Sequence, residues 1–163
     1  MTSSDVDAAC RQALENLRRA LGERLVAVAL YGSAARGERD WGDLDFYAIG
    51  LDLDGDLYER DRRVDRALGD LDPPFRRSIL SKTPREFDAD VTPLMLDLAL
   101  DAHVLWDPTD YLGPRLSRLR EVLREARLER EAHHWGFTWV FRDPPRGPWE
   151  LDWQGYREVR NRS

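Results

Sequence analysis

The stretch from Leu25 to Gly50 constrains the fold of this chain more than any other. Leu25 to Tyr31 is a near-continuous apolar run, short enough for a strand buried on both faces. It stops at Gly32-Ser33, where a residue without Cβ lets the backbone approach a ligand closely. Ser33-Ala34-Ala35-Arg36 reads as the start of a short helix with Ser33 as its N-cap, and free N–H groups at such a start suit phosphate. Gly37 ends that turn. A polar loop follows, and a second strand opens with Asp43-Leu44-Asp45-Phe46-Tyr47-Ala48-Ile49.

Residues two apart on a strand share a face, so Asp43 and Asp45 present both carboxylates to one side while Leu44 and Phe46 face the other. Two like charges that close repel unless a cation sits between them. Hard oxygen ligands on a short D-x-D suit Mg²⁺, which keeps waters and is completed by substrate phosphates. A strand, a Gly-Ser turn and a D-x-D clamp together describe a site for a nucleoside triphosphate. Phosphoryl and nucleotidyl transfer need little beyond positioning and charge neutralisation.

Gly32-Ser33-Ala34-Ala35-Arg36-Gly37 followed by Asp43-x-Asp45 resembles the G-S-x-A-R-G…D-x-D signature of minimal nucleotidyltransferases, relatives of the DNA polymerase beta superfamily. One departure is visible: Gly42 stands where that family often has Ser. The resemblance covers roughly Leu25 to Asp107. It implies an α/β (α+β) fold, a small mixed sheet with flanking helices, expected here on one side of the sheet. It further implies Mg²⁺ (or Mn²⁺) on Asp43 and Asp45, and triphosphate on Gly32 and Ser33, with ATP the default nucleotide. The implied activity is transfer of a nucleoside monophosphate to a hydroxyl acceptor on a protein or small molecule. Arg36, one turn beyond Ser33, either braces the loop or reaches phosphate.

In catalytically complete relatives a third carboxylate usually sits on the strand beside the D-x-D strand. The expected third strand, Phe75 to Lys82, contains no acid. The nearest carboxylates are Glu86, Asp88, Asp90 and Asp97, and their spacing selects none of them. A rival reading follows: a nucleotidyltransferase fold kept as a binding module, such as the antitoxin partner of a HEPN-type toxin.

The rest of the chain sets bounds. At 163 residues it is long enough to bury a core of its own. Its net charge of -6 and lack of a basic stripe argue against long nucleic acid as a partner. No apolar run reaches membrane-span length and no signal-peptide core is present, so a cytoplasmic protein is expected. The single Cys10 excludes an internal disulfide and reads as a small buried side chain.

Ser3-Ser4-Asp5 opens a helix to about Leu21, with Ala9, Ala13, Leu14, Leu17, Ala20 and Leu21 on one stripe. Leu57 to Leu71 reads as a second amphipathic helix, stopped by Asp72-Pro73-Pro74. Thr92-Pro93 starts another, followed by a short strand, Ala102 to Asp107. A nucleotidyltransferase domain is therefore expected over residues 1–110. Residues 111–163 are expected as a long helix, Leu112 to about His134, plus an aromatic tail. Trp135, Phe137, Trp139 and Phe141 alternate, so Gly136–Phe141 suits a strand with one aromatic face. Such a tail folds back on the domain, docks on a partner or a second copy of the chain, or stacks on a base, and packing is favoured over a direct ligand role.

Overall fold

The computed structural model describes residues 3–38, 42–53, 55–72, 75–134 and 136–159. Pro73, Pro74 and Trp135, used in the sequence reading, lie outside the described residues. Helix α1 spans Ser3–Leu21, followed by a single 3₁₀ turn and strand β1, Leu25–Tyr31. Helix α2 is one turn, Gly32–Ala35, and β2 runs Leu44–Gly50. Then come α3 (Leu57–Leu68), β3 (Arg77–Lys82), α4 (Pro84–Ala89), α5 (Pro93–Asp101) and β4 (His103–Trp106). The chain continues with α6 (Leu112–Ala126), β5 (Leu128–His133), β6 (Gly136–Phe141), β7 (Trp149–Asp152) and β8 (Gly155–Glu158).

Strands β1 to β4 form a mixed sheet in the order β3-β2-β1-β4. β1 pairs antiparallel with β2 and β4, whereas β2 and β3 run parallel. The parallel pair requires a crossover, and α3 supplies it. This is the expected small mixed α/β sheet, with one correction: helices cover both faces rather than one. On one face Val28, Leu30, Leu44, Phe46 and Ala48 pack with Ala9, Ala13 and Leu17 of α1 and Val64 and Leu68 of α3. On the other, Ala27, Ala29, Tyr47 and Ile49 pack with Phe87 of α4, Met95, Leu98 and Ala99 of α5, and the apolar stripe of α6. The cause is visible in β1 and β2, whose apolar residues are continuous rather than alternating and so need cover on both sides.

Local signals set most boundaries. Thr83 and Glu86 form a reciprocal capping box with Pro84 at the first turn, which starts α4. Helix α3 ends at Leu68, earlier than expected, because Gly69 closes it at φ +68. The Asp107 carboxylate accepts hydrogen bonds from the amides of Tyr111, Leu112 and Gly113 and so opens α6.

The long terminal helix expected to reach His134 is shorter. Arg127 takes a left-handed conformation at φ 49 and ends α6 at Ala126. Residues 128–133 then pair antiparallel with the expected strand Gly136–Phe141. A second hairpin, β7–β8, follows. Trp139, Phe141, Leu151, Trp153 and Tyr156 pack against the α5–α6 side of the core, so the aromatic tail folds back. Cys10 is buried, and burial pushes its thiol up to about 11, which keeps it protonated and inert at neutral pH. Among the described residues no helix is long and apolar enough to cross a membrane.

Candidate functional site

The site is built where β1 ends and β2 begins. Tyr31 and Asp45 are directly paired across these antiparallel strands, so their side chains share a face. Leu44 and Phe46, fully buried, point to the α1–α3 side. Asp45 therefore emerges on the opposite face, beneath α2 and beside the α5 side of the sheet. Asp43 immediately precedes β2 and, two residues from Asp45, presents to the same side. Both aspartates are half-buried.

Gly32 is fixed by two independent constraints. Its φ is +76, a conformation that glycine adopts readily. A Cβ at this position would lie 2.5 Å from Asp45 Oδ2. The turn at Gly32 is thus seated directly on the carboxylate of the D-x-D pair. Helix α2 begins at Gly32 with Tyr31 as its N-cap, not Ser33, and no side chain caps it. Ser33 sits one residue inside the helix, so its expected role as cap is corrected, while the uncapped start of α2 lies beside Asp45. Arg36 closes this turn through its amide, which donates to the Gly32 carbonyl at 3.1 Å.

Burial raises the Asp45 carboxyl above the ordinary range; the Ser78 hydrogen bond opposes this, the neighbouring Asp43 charge adds to it, and Arg36 opposes it. The Tyr31 hydroxyl is pushed up to about 12 by burial and by the Asp45 and Asp43 charges. Tyr31, Tyr47 and Phe87 make successive edge contacts at centroid separations of 6.2 and 6.0 Å, which gives the site a rigid aromatic floor.

The neighbouring strand decides the question of the third carboxylate. In the parallel pairing of β2 and β3, Ser78 stands level with Asp45, and its hydroxyl donates to Asp45 Oδ1 at 2.6 Å. Three of the other acids weighed from the sequence are engaged elsewhere, and the fourth, Asp90, is exposed at the C-terminal end of α4. Glu86 binds Arg60 and the start of α4, Asp88 binds Arg115 and Tyr111, and Asp97 binds Arg130. Among the described residues no group of three or more His, Cys, Asp or Glu side chains is gathered to hold a metal.

No protein-family model matches the chain, and no curated protein matches it. Several solved structures resemble it at low identity. One is a toxin–antitoxin complex with AMP-PNP, at 16% identity and TM-score 0.44, covering 71% of this chain and 90% of that one. Another is a tri-AMPylated Shewanella oneidensis HEPN toxin with its MNT antitoxin, at 14% identity and TM-score 0.44, covering 74% and 92%. The MntA–HepT toxin–antitoxin complex matches at 14% identity and TM-score 0.43, with coverage of 74% and 92%. At this level of likeness the functional reading stands on the geometry of Asp43, Asp45, Gly32 and Ser78.

Arg36, one of the residues considered for nucleotide binding, reaches away from the turn. Its guanidinium donates to Asp101 Oδ2 at 2.8 Å and pairs with Glu38 at 2.5 Å. Asp101, at the end of α5, has only 6% of its side chain exposed. Burial pushes its carboxyl up, but the hydrogen bonds and charges of Arg130 and Arg36 outweigh this and hold it below the ordinary range. Asp101 and Arg130 were not singled out from the sequence. Only their meeting with Arg36 marks them, and no local spacing encodes it.

Proposed function

We propose that the chain is a Mg²⁺-dependent nucleotidyltransferase that moves a nucleoside monophosphate from a nucleoside triphosphate to a hydroxyl on a protein or small molecule. The observation that carries this reading is the seating of the Gly32 turn on Asp45. It brings the uncapped start of α2 and two carboxylates into one locus, the pairing that a metal–triphosphate complex requires. The donor set fits the ion. Asp43 and Asp45 are hard oxygen ligands whose mutual repulsion a cation relieves, and burial, with the Asp43 charge adding to it, raises the Asp45 carboxyl.

In this reading Asp43 and Asp45 hold the metal, Gly32 and Ser33 offer backbone amides to the β- and γ-phosphates, and Ser78 fixes the rotamer of Asp45. When bound, Mg²⁺ supplies neutralisation of charge on the phosphates. The acceptor oxygen bonds the α-phosphorus as its hydroxyl loses a proton, and the bond to the bridging oxygen breaks with pyrophosphate leaving. The residues that would form this unit lie within 1–110, and from the C-terminal part Trp139, Phe141, Leu151, Trp153 and Tyr156 pack on its α5 side. Calorimetric titration with AMP-PNP, with and without Mg²⁺, tests the reading. Metal-dependent binding that disappears in an Asp43→Asn, Asp45→Asn double variant supports it, and retained Mg²⁺-dependent affinity in that variant overturns it.

A second reading is favoured by one feature. Ser78 holds the register position where a third carboxylate would act, which suits a nucleotide-binding module of weak catalytic power that works with a protein partner, such as a HEPN-type toxin. Transfer of label from an α-labelled triphosphate separates the two readings.

A further inference from the structure

Arg130 of β5 donates to both oxygens of Asp101, each at 2.7 Å, and to Asp97 at 3.1 Å. Arg36, from the glycine turn, donates to the same Asp101 oxygen as one arm of Arg130. Phe137 of β6 lies against both guanidiniums, its ring centroid 4.8 Å from the Arg36 Cζ and 4.4 Å from the Arg130 Cζ. Two cations that share a carboxylate repel each other, and a buried carboxylate with a single monodentate partner is poorly compensated. The geometry resolves both problems. Arg130 neutralises Asp101 through two parallel bonds, and the Phe137 ring presents its electron-rich face to both guanidiniums. Arg36 is thereby held in one rotamer against α5, and its backbone amide closes the α2 turn on the Gly32 carbonyl.

We infer that Arg130 is a positioning residue for the glycine turn: with Asp101 and Phe137 it holds Arg36, and through Arg36 it fixes α2 over Asp45. The C-terminal hairpin β5–β6 is thus a working part of the site rather than an appendage packed beside it. The functional half of this inference rests on the reading of Gly32–Gly37 as the triphosphate turn; the positioning half stands without it. A merely structural role for Arg130, in stapling the hairpin to α5, would leave the α2 amides unaffected.

The test is hydrogen exchange of the full nucleotide-free chain, with Arg130→Gln, Arg130→Lys and Arg36→Gln variants. Arg130→Gln is expected to speed exchange across residues 32–38 about threefold or more, with α1 and α3, on the far face of the sheet, unchanged. Arg130→Lys keeps the charge but loses the two-armed geometry and is expected to show the same effect in part, which covers the case in which the Gln variant does not fold. Unchanged exchange at 32–38 in the folded Lys variant, or in the Gln variant, overturns the inference. AMP-PNP binding with Mg²⁺ supplies the second readout. Arg130→Gln is expected to weaken it about tenfold in the wild-type background and to add little in the Arg36→Gln background. Equal losses in both backgrounds overturn the pathway through Arg36. If the unaltered chain binds no nucleotide, the triphosphate reading fails while the exchange result still decides the positioning.

Discussion

Ser78 and Asp45 stand level in the parallel pairing of β2 and β3, and the Ser78 hydroxyl donates to the Asp45 carboxylate at 2.6 Å. The bond favours the ionised form of Asp45 against its burial. Ser78→Ala should therefore raise the Asp45 carboxyl further and cost stability of about 1 kcal/mol. Titration of Asp45 by carbonyl-resolved NMR in both proteins checks the direction. Ser78→Asp would place a third carboxylate beside the first two. The expected outcome is a metal-free fold of lower melting temperature that Mn²⁺ restores, measured by thermal unfolding with and without the ion.

Asp45 itself opposes folding once ionised. Its carboxyl is raised in the folded chain, so it binds a proton more tightly there than when unfolded, and its penalty disappears as pH falls through the folded value. Asp45→Asn should leave the metal-free protein as stable as before or more so at neutral pH, with the gain vanishing on mild acidification. The same substitution should abolish Mg²⁺-dependent AMP-PNP binding. In the unsubstituted chain that binding should weaken as pH falls through the raised folded value of Asp45, because protons compete with the metal.

Gly32→Ala tests the seating of the turn. A non-glycine residue at φ +76 costs roughly 1–2 kcal/mol in backbone conformation alone, and its Cβ would displace the Asp45 carboxylate. The expected result is a folded but less stable protein with nucleotide binding lost. Binding unaltered in a folded Gly32→Ala variant would show that Asp45 and the turn do not form one site.

Asp101→Asn leaves two half-buried guanidiniums without their shared buried carboxylate, each with one more exposed partner remaining, Glu38 for Arg36 and Asp97 for Arg130. The cost should be about 3–5 kcal/mol, read from urea unfolding, against near-neutral effects for the exposed pair Arg142–Glu129. The sign with pH is opposite to that of Asp45. The Asp101 carboxyl is held low, so its stabilisation is complete above the unfolded carboxylate value and is lost as pH falls through the lower folded one. The Asn variant should lack that acid-side loss.

The residues of the candidate site that stand out in the sequence do so because their determinants are local. Gly32, Asp43 and Asp45 lie within one strand–turn–strand unit, where a missing Cβ and a period of two residues settle which groups can meet. The strands β1 and β2, the start of α1 and the strand at Gly136–Phe141 follow from patterns of the same short range. The capping box Thr83-Pro84-Arg85-Glu86 was equally open to reading, and would have placed α4.

The features that escaped the sequence depend on pairings across long separations. Register alone sets Ser78 beside Asp45, and a shift of one residue would present a neighbour on the opposite face instead. Arg36 meets Asp101 across 65 residues, and Arg130 meets it across 29. The charged, helix-like run after Ala126 becomes a strand because residues 136–141 provide a partner ladder that no local propensity reveals. Short-range geometry leaves little freedom to the glycine turn or to two aspartates on one face of a strand, so both can be read from the order of residues alone. Which strand lies beside Asp45, and which distant charges reach Arg36, follow from burial and pairing, through contacts that the order of residues does not contain.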